Sequence, residues 1–335
     1  VSYPSTAERK PATRRAAATF VRTWSSQIGI TAAFLALWLT FIVLAPDVFL
    51  SERIYLSFAQ TTPYFAITAM LLTMLIISGD IDLSFPSIMA LGMVGFVLTW
   101  EATGSVELGV LAVLVVGALA GLLNGLVVTI IGIPAIVVTI GTQFLYRGLA
   151  LVLVAGQTMP LVGARDSWLF ELFVGRPFMN IPMEFFWLCL IAVCTWLLLN
   201  RHRVGQSTYA IGDNRQAATL MGVPVRRTRI LLFVLVGVAA AFAGMLNSFR
   251  VVNFFPTIGP GFMLPALAAV FVGGTSVFGG RGSVYGTFLG AFMIGAIAAG
   301  IVAAGLSEFY VPLIYGAIVL VSVSIHAILQ QRFGR

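Results

Sequence analysis

The chain has 335 residues, 59% of them hydrophobic and only 9% charged, with a mean hydropathy of +1.02. Such a surface cannot be left in water, so the composition excludes a soluble globular protein and points to helices crossing a bilayer. The net charge of +7 needs no nucleic-acid partner, because its basic residues concentrate in loops predicted to face anionic headgroups.

Residues 1–27 carry Arg9, Lys10, Arg14, Arg15 and Arg22 without an apolar run of their own. That pattern predicts a basic cytoplasmic tail, not a cleaved signal peptide. Residues 28–335 then read as one transmembrane domain. Apolar runs fall at 28–46, 63–78, 83–100, 108–131 and 135–155, then at 185–200, 230–249, 264–278, 284–304 and 309–329. The expected fold is an all-α membrane protein of about ten transmembrane helices, some short or broken.

Orientation follows from Lys and Arg, which resist translocation. With the amino terminus inside, the cytoplasmic loops hold the tail's basic residues and Arg201, Arg203, Arg215, Arg226, Arg227, Arg229, Arg281, Arg332 and Arg335. Outside fall Arg53, Arg147, Arg165, Arg176 and Arg250, together with acidic residues such as Glu52, Glu101, Glu107, Glu184 and Glu308. Both termini are therefore expected in the cytoplasm.

Two apolar stretches are unsuited to simple spans. The run at 83–100 follows a Gly79-Asp80-Ile81-Asp82 turn and carries Pro86; the run at 264–278 is short, contains Pro265, and meets Gly273, Gly274, Gly279 and Gly280. Broken helices at membrane depth are tolerated where they are buried in protein or line a watery cavity, so both regions are candidate gates. Asp80 and Asp82 admit two readings: ion coupling in a secondary transporter, or capping of the following helix. Capping is favoured because the pair is predicted at a membrane edge, not at mid-membrane. Gly117, Gly121 and Gly125, spaced by four, and Gly286 with Gly290, predict close helix packing.

Catalytic chemistry finds no foothold. His202 and His326 sit at expected cytoplasmic helix ends, and Cys189 and Cys194 face different sides of one run, suggesting neither a disulfide nor a metal site. The chain also has no Gly-x-x-x-x-Gly-Lys-Ser/Thr loop, so it is not expected to be an enzyme or to hydrolyse ATP itself.

The polar interruption between residues 201 and 229 is the main exception to the apolar pattern. Arg215 to Met221 is helix-forming, with Gly212 and Asn214 read as turn and cap, and Gly222 and Pro224 as its end. Small Ala217 and Ala218 suit a helix seated in a partner's groove, while Arg226, Arg227 and Arg229 hold the base at the membrane surface. The alternative is an amphipathic linker lying on headgroups.

Four stretches, SGDIDLSFPSIMAL from Ser78, IPAIVVTIGTQFLYRGLAL from Ile133, YAIGDNRQAATLMGV from Tyr209 and PALAAVFVGGTSVFGGRGSVYGTFLGA from Pro265, carry a resemblance. The chain resembles the membrane permease of a bacterial ATP-binding-cassette importer, in the ribose, xylose, arabinose and autoinducer-2 branch. The resemblance implies an inner-membrane permease paired with a second copy or paralogue, two cytoplasmic ATPases holding ATP and magnesium, and a periplasmic solute-binding protein. No cofactor is expected on this chain.

The same resemblance implies that Gly212, Asp213, Asn214, Gln216, Ala217, Ala218, Leu220 and Gly222 form the coupling helix that seats in the ATPase. Gln216 stands where such loops usually carry Glu. The first motif usually reads Gly-Gly-Ile-Asp-Leu-Ser-Val-Gly, whereas here Asp80 replaces its second glycine, and Phe85 and Pro86 follow the serine. Near 264–278, Met263 and Pro265 replace usual acidic residues, implying a less polar path. Asn124, Thr139, Gln143, Asn247 and Asn253 are uncharged polar groups suited either to passing contacts with sugar hydroxyls or to helix-to-helix bonds. The expected cargo is a monosaccharide or related polyol. Nucleoside or branched-chain amino acid import, and ion-coupled transport, are the alternatives.

Overall fold

The computed structural model describes the backbone of residues 12–333 and the side chains of residues 27–324, 327 and 328. The side chains of the expected basic tail before Gln27, and those of His326, Arg332 and Arg335, lie outside the described residues.

Apolar periodicity closes into helices α1 (Ala12–Leu44), α2 (Pro46–Phe49), α3 (Glu52–Thr61), α4 (Pro63–Ile77), α5 (Phe85–Thr103), α6 (Val106–Leu126) and α7 (Ala135–Leu153). A wider π turn over Val127–Ile131 extends α6. After the short strand β1 (Met159–Pro160) come α8 (Trp168–Val174), α9 (Met183–Arg201), α10 (Arg203–Asp213), α11 (Arg215–Leu220) and α12 (Val225–Arg250). Strand β2 (Asn253–Phe254), α13 (Pro260–Val272), α14 (Val284–Ala303) and α15 (Tyr310–Phe333) complete the described chain.

Among the described residues, seven helices are long and apolar enough to cross a membrane. The pair α3–α4, bent by 53° between Thr61 and Pro63, makes an eighth if it counts as one span. Pro260–Val272 and Tyr310–Ser324 are shorter apolar helices. Chain and composition thus give an all-α, multi-pass membrane protein.

The centre of the bundle is α4, every residue of which is buried, as expected of a helix apolar on all sides. Around it, α12 packs on α4, α5 and α6. The α6–α12 seam explains the predicted glycine repeat: a Cβ on Gly121 would stand 2.3 Å from the Phe233 carbonyl oxygen, and one on Gly237 would stand 2.2 Å from that of Gly117. Backbones here meet directly, an approach that only glycine allows. Gly286 and Gly290 do the same for α14 against Gly273 and Ala269 of the α13 segment.

Pro86 lies in the first turn of α5. It opens that helix and does not break it, since a first-turn residue needs no intrahelical N–H bond. The segment after β2 is also irregular: Gly259, at φ +117°, lies against the Pro86 carbonyl, whose oxygen would stand 2.0 Å from an added Cβ. From there α13 begins beside the first turn of α5.

Candidate functional site

The polar interruption folds into α10, α11 and the base of α12. Asn214 caps α11, its Oδ1 accepting from the Ala217 N–H at 2.9 Å. Gly222 then adopts a left-handed φ of +79° while the Val223 N–H returns to the Ala218 carbonyl at 3.0 Å, a helix stop suited to glycine. Leu220 and Met221 project at the tip, 89% and 82% exposed.

Gly212 corrects one expectation, because it lies within α10 and is no turn residue. A Cβ there would meet the Ile77 carbonyl oxygen and the Gly280 nitrogen at 1.8 and 2.5 Å. Its role is to let α10 lie on the end of α4 and on the 279–280 turn, where Gly279 and Gly280 both have positive φ and the Gly280 N–H donates to the Ile77 carbonyl. Gly274, also at positive φ, follows α13, and Gly273 packs on Gly286. Tyr209 ties α10 to the same loop, donating its hydroxyl to the Gly282 carbonyl at 2.9 Å; burial pushes its phenol pKa up. Ala218 is 2% exposed. It seats α11 on its own chain and is not offered to a partner, while Asp213, Gln216 and Ala217 are exposed.

Beneath α11 lies the second correction. Asp80, 4% exposed, does not cap α5. Its Oδ2 accepts from Arg229 Nε at 2.6 Å and its Oδ1 from Arg229 Nη2 at 2.8 Å, a two-pronged pair of the kind guanidinium geometry favours. Arg215 Nη2, from the first residue of α11, reaches the same Oδ1 at 3.4 Å. A cavity of about 440 Å³ opens beside the three, also lined by Gly79, Gly132 and Pro134.

Asp82 is fully buried and performs the local task expected of it: its Oδ1 accepts from the Ser84 N–H and hydroxyl, each at 2.7 Å. Its Oδ2 accepts from Asn124 Nδ2 at 3.3 Å. Burial pushes the Asp82 carboxyl pKa up, and the donated bonds from Ser84 and Asn124 only partly offset it. Asn124 is occupied on its other side, where Oδ1 accepts from the Tyr146 hydroxyl at 3.0 Å. Thr139 donates to the Ile81 carbonyl at 3.3 Å. Both residues therefore bind the 79–84 loop to α6 and α7. Gln143 and Asn247 are half-buried on α7 and α12, and Asn253 in β2 has a buried Oδ1 with no hydrogen-bond partner among the described residues.

Two arrangements went unread in the sequence. Arg147, within α7, donates Nη2 to the carbonyls of Pro86 at 3.1 Å and Ile258 at 2.7 Å, and Nη1 to that of Pro256. At the opposite end of α12, Arg250 grips the fully buried Glu184 of α9 through Nε and Nη2, each at 2.7 Å, and the Tyr64 hydroxyl adds a third bond at 3.2 Å. The signal for both was present: a charge embedded in apolar sequence is costly enough to demand a partner.

A family model described as "Branched-chain amino acid transport system / permease component" matches residues 54–323. Among curated proteins, the ribose import permease protein RbsC of Bacillus subtilis is 33% identical over 258 residues, covering 75% of this chain and 78% of that protein. RbsC of Escherichia coli K12 is 30% identical over 307 residues, covering 91% and 94%. The autoinducer 2 import system permease protein LsrD of Salmonella paratyphi A is 30% identical over 317 residues, also covering 91% and 94%. No solved structure matches the chain. With its helical bundle, its four motifs in order and a family match over most of its length, the chain belongs to the branched-chain amino acid transport system permease family.

Proposed function

We propose that this chain is the inner-membrane permease of an ATP-binding-cassette importer that moves a monosaccharide or related polyol into the cytoplasm. Energy comes from two separate ATPase subunits that dock on α11, and cargo from a periplasmic solute-binding protein; a second permease copy or paralogue completes the channel. The observation carrying this reading is α11 itself: a capped helical knob with Leu220 and Met221 at its exposed tip, on a bundle otherwise built for lipid. The ribose and autoinducer-2 names of the relatives support a small hydroxylated cargo over the amino acid in the family description. Asp80 and Asp82 are already bonded within the chain, which supports drive from ATP over ion coupling.

A passive gate gains nothing from tight binding of its cargo, and its two states are separated only by a partner that favours one of them. ATP-driven closure of the ATPases supplies that difference at α11. Proteoliposomes containing the chain, its ATPases and its binding protein should accumulate radiolabelled ribose or a related sugar only with internal-side ATP. Accumulation by the chain alone under a proton gradient would refute the proposal.

A further inference from the structure

The polar residues of the site form one connected series. Arg215, at the start of α11, and Arg229, at the base of α12, meet on the Asp80 carboxylate. Asp80 belongs to the six-residue loop between Gly79 and Ser84, whose backbone and side chains are bonded onward at two further points: the Ile81 carbonyl to Thr139, and Asp82 to Asn124. Asn124 is held by Tyr146, whose neighbour Arg147 binds the Pro86 carbonyl at the start of α5 and the Pro256 and Ile258 carbonyls of the segment leading into α13. Gly259 closes the series by lying directly on Pro86.

Each hydrogen bond in the series joins two elements, while the steps from Asp80 through Ile81 to Asp82 and from Tyr146 to Arg147 run through backbone, within one loop and within α7. Arg229 and Asp80 side chains are 9% and 4% exposed, whereas Arg215 is 45% exposed. The arginine on α11 is thus the most exposed of the three charged groups. Movement of α11 alters its approach to a carboxylate that is otherwise fixed, and a carboxylate shared between two cations responds to the loss of either.

Resting on the permease reading above, we propose that Asp80 is a positioning residue that couples displacement of α11 to the 255–259 segment and the start of α13, through the 79–84 loop and Arg147. Asp80 acts here on the gate and not on cargo. A shared hydrogen-bonded series becomes a coupling route only if perturbing one end changes the response at the other.

The test uses the assembled importer in proteoliposomes and reads sugar transported per ATP hydrolysed. Arg215→Gln, at a half-exposed position that does not threaten folding, should lower that ratio about fivefold or more, the lower end of ordinary intersite coupling. Arg215→Lys should restore most of it, and Asp80→Asn combined with Arg215→Gln should be no worse than Asp80→Asn alone. A weakened docking contact would instead reduce hydrolysis and transport together; a native ratio in Arg215→Gln overturns the relay and leaves the permease reading standing. Absence of ATP-driven uptake by the native assembly overturns both.

Discussion

Replacing Arg250 with methionine tests how the bundle is held at the end remote from α11. Arg229 and Arg250 stand about 30 Å apart along α12 at 1.5 Å per residue, close to the thickness of a bilayer's hydrocarbon core. Each meets a buried carboxylate, so α12 is stapled near both faces. Methionine keeps much of the stem's packing but removes both guanidinium bonds, leaving the fully buried Glu184 with the Tyr64 hydroxyl at 3.2 Å as its remaining side-chain donor among the described residues. Breaking a buried pair from one side costs about 3–5 kcal/mol, because the surviving charge has no compensation. Removing both charges, as Glu184→Leu with Arg250→Met, should cost less than Arg250→Met alone, giving an interaction energy of about 2 kcal/mol or more. Reversible unfolding in micelles or nanodiscs, measured for the native chain, both single variants and the double, completes the cycle. An Arg250→Met cost under about 1 kcal/mol, the scale of an exposed pair, or strict additivity, would falsify the argument.

Gly121→Ala should destabilise by about 1–3 kcal/mol, since its Cβ would meet the Phe233 backbone at 2.3 Å where no side-chain movement relieves the clash; unchanged thermal stability would remove direct backbone packing from the α6–α12 seam. Leu220→Ser, at an 89% exposed tip, should stay within about 0.5 kcal/mol of native stability yet weaken copurification with the ATPases, and undiminished capture would move the docking contact away from that tip. The Asp82 carboxyl titrates above its ordinary 3.8 because of burial, so the folded state holds the proton more tightly than the unfolded chain. Its contribution is fully present below pH 3.8 and is lost as pH rises through the elevated folded value. The stability of the native chain relative to Asp82→Asn should therefore decline with rising pH across that window, and parallel melting curves from pH 4 to 8 would contradict it.

The helices were legible wherever a local rule decides structure. Gly117, Gly121 and Gly125 announced the seam on which α12 rests, and Asn214, Gly222 and Pro224 marked the ends of α11 because capping and stopping depend on a few adjacent residues. Pro86 and Gly212 were misread for a related reason: each is a breaker by type, but one occupies a first helical turn and the other a helix crowded by Ile77. Position within an element, not residue type, sets what a proline or glycine does.

Asp80 shows where local reasoning stops. Capping was a sound expectation for a carboxylate two residues ahead of Asp82, and Asp82 does satisfy the start of α5. One carboxylate suffices there, leaving Asp80 a buried charge in need of a cation. Its partners, Arg215 and Arg229, lie 135 and 149 residues along the chain, in the very stretch read separately as a docking helix and its base. The burial of Asp80 calls for such a cation, and the return of α12 to the end of α4 delivers Arg229, which meets it with two parallel bonds. The 79–84 loop and the α11–α12 stretch, distant in sequence, are therefore one piece of structure, and a substitution in either is expected to be felt in the other.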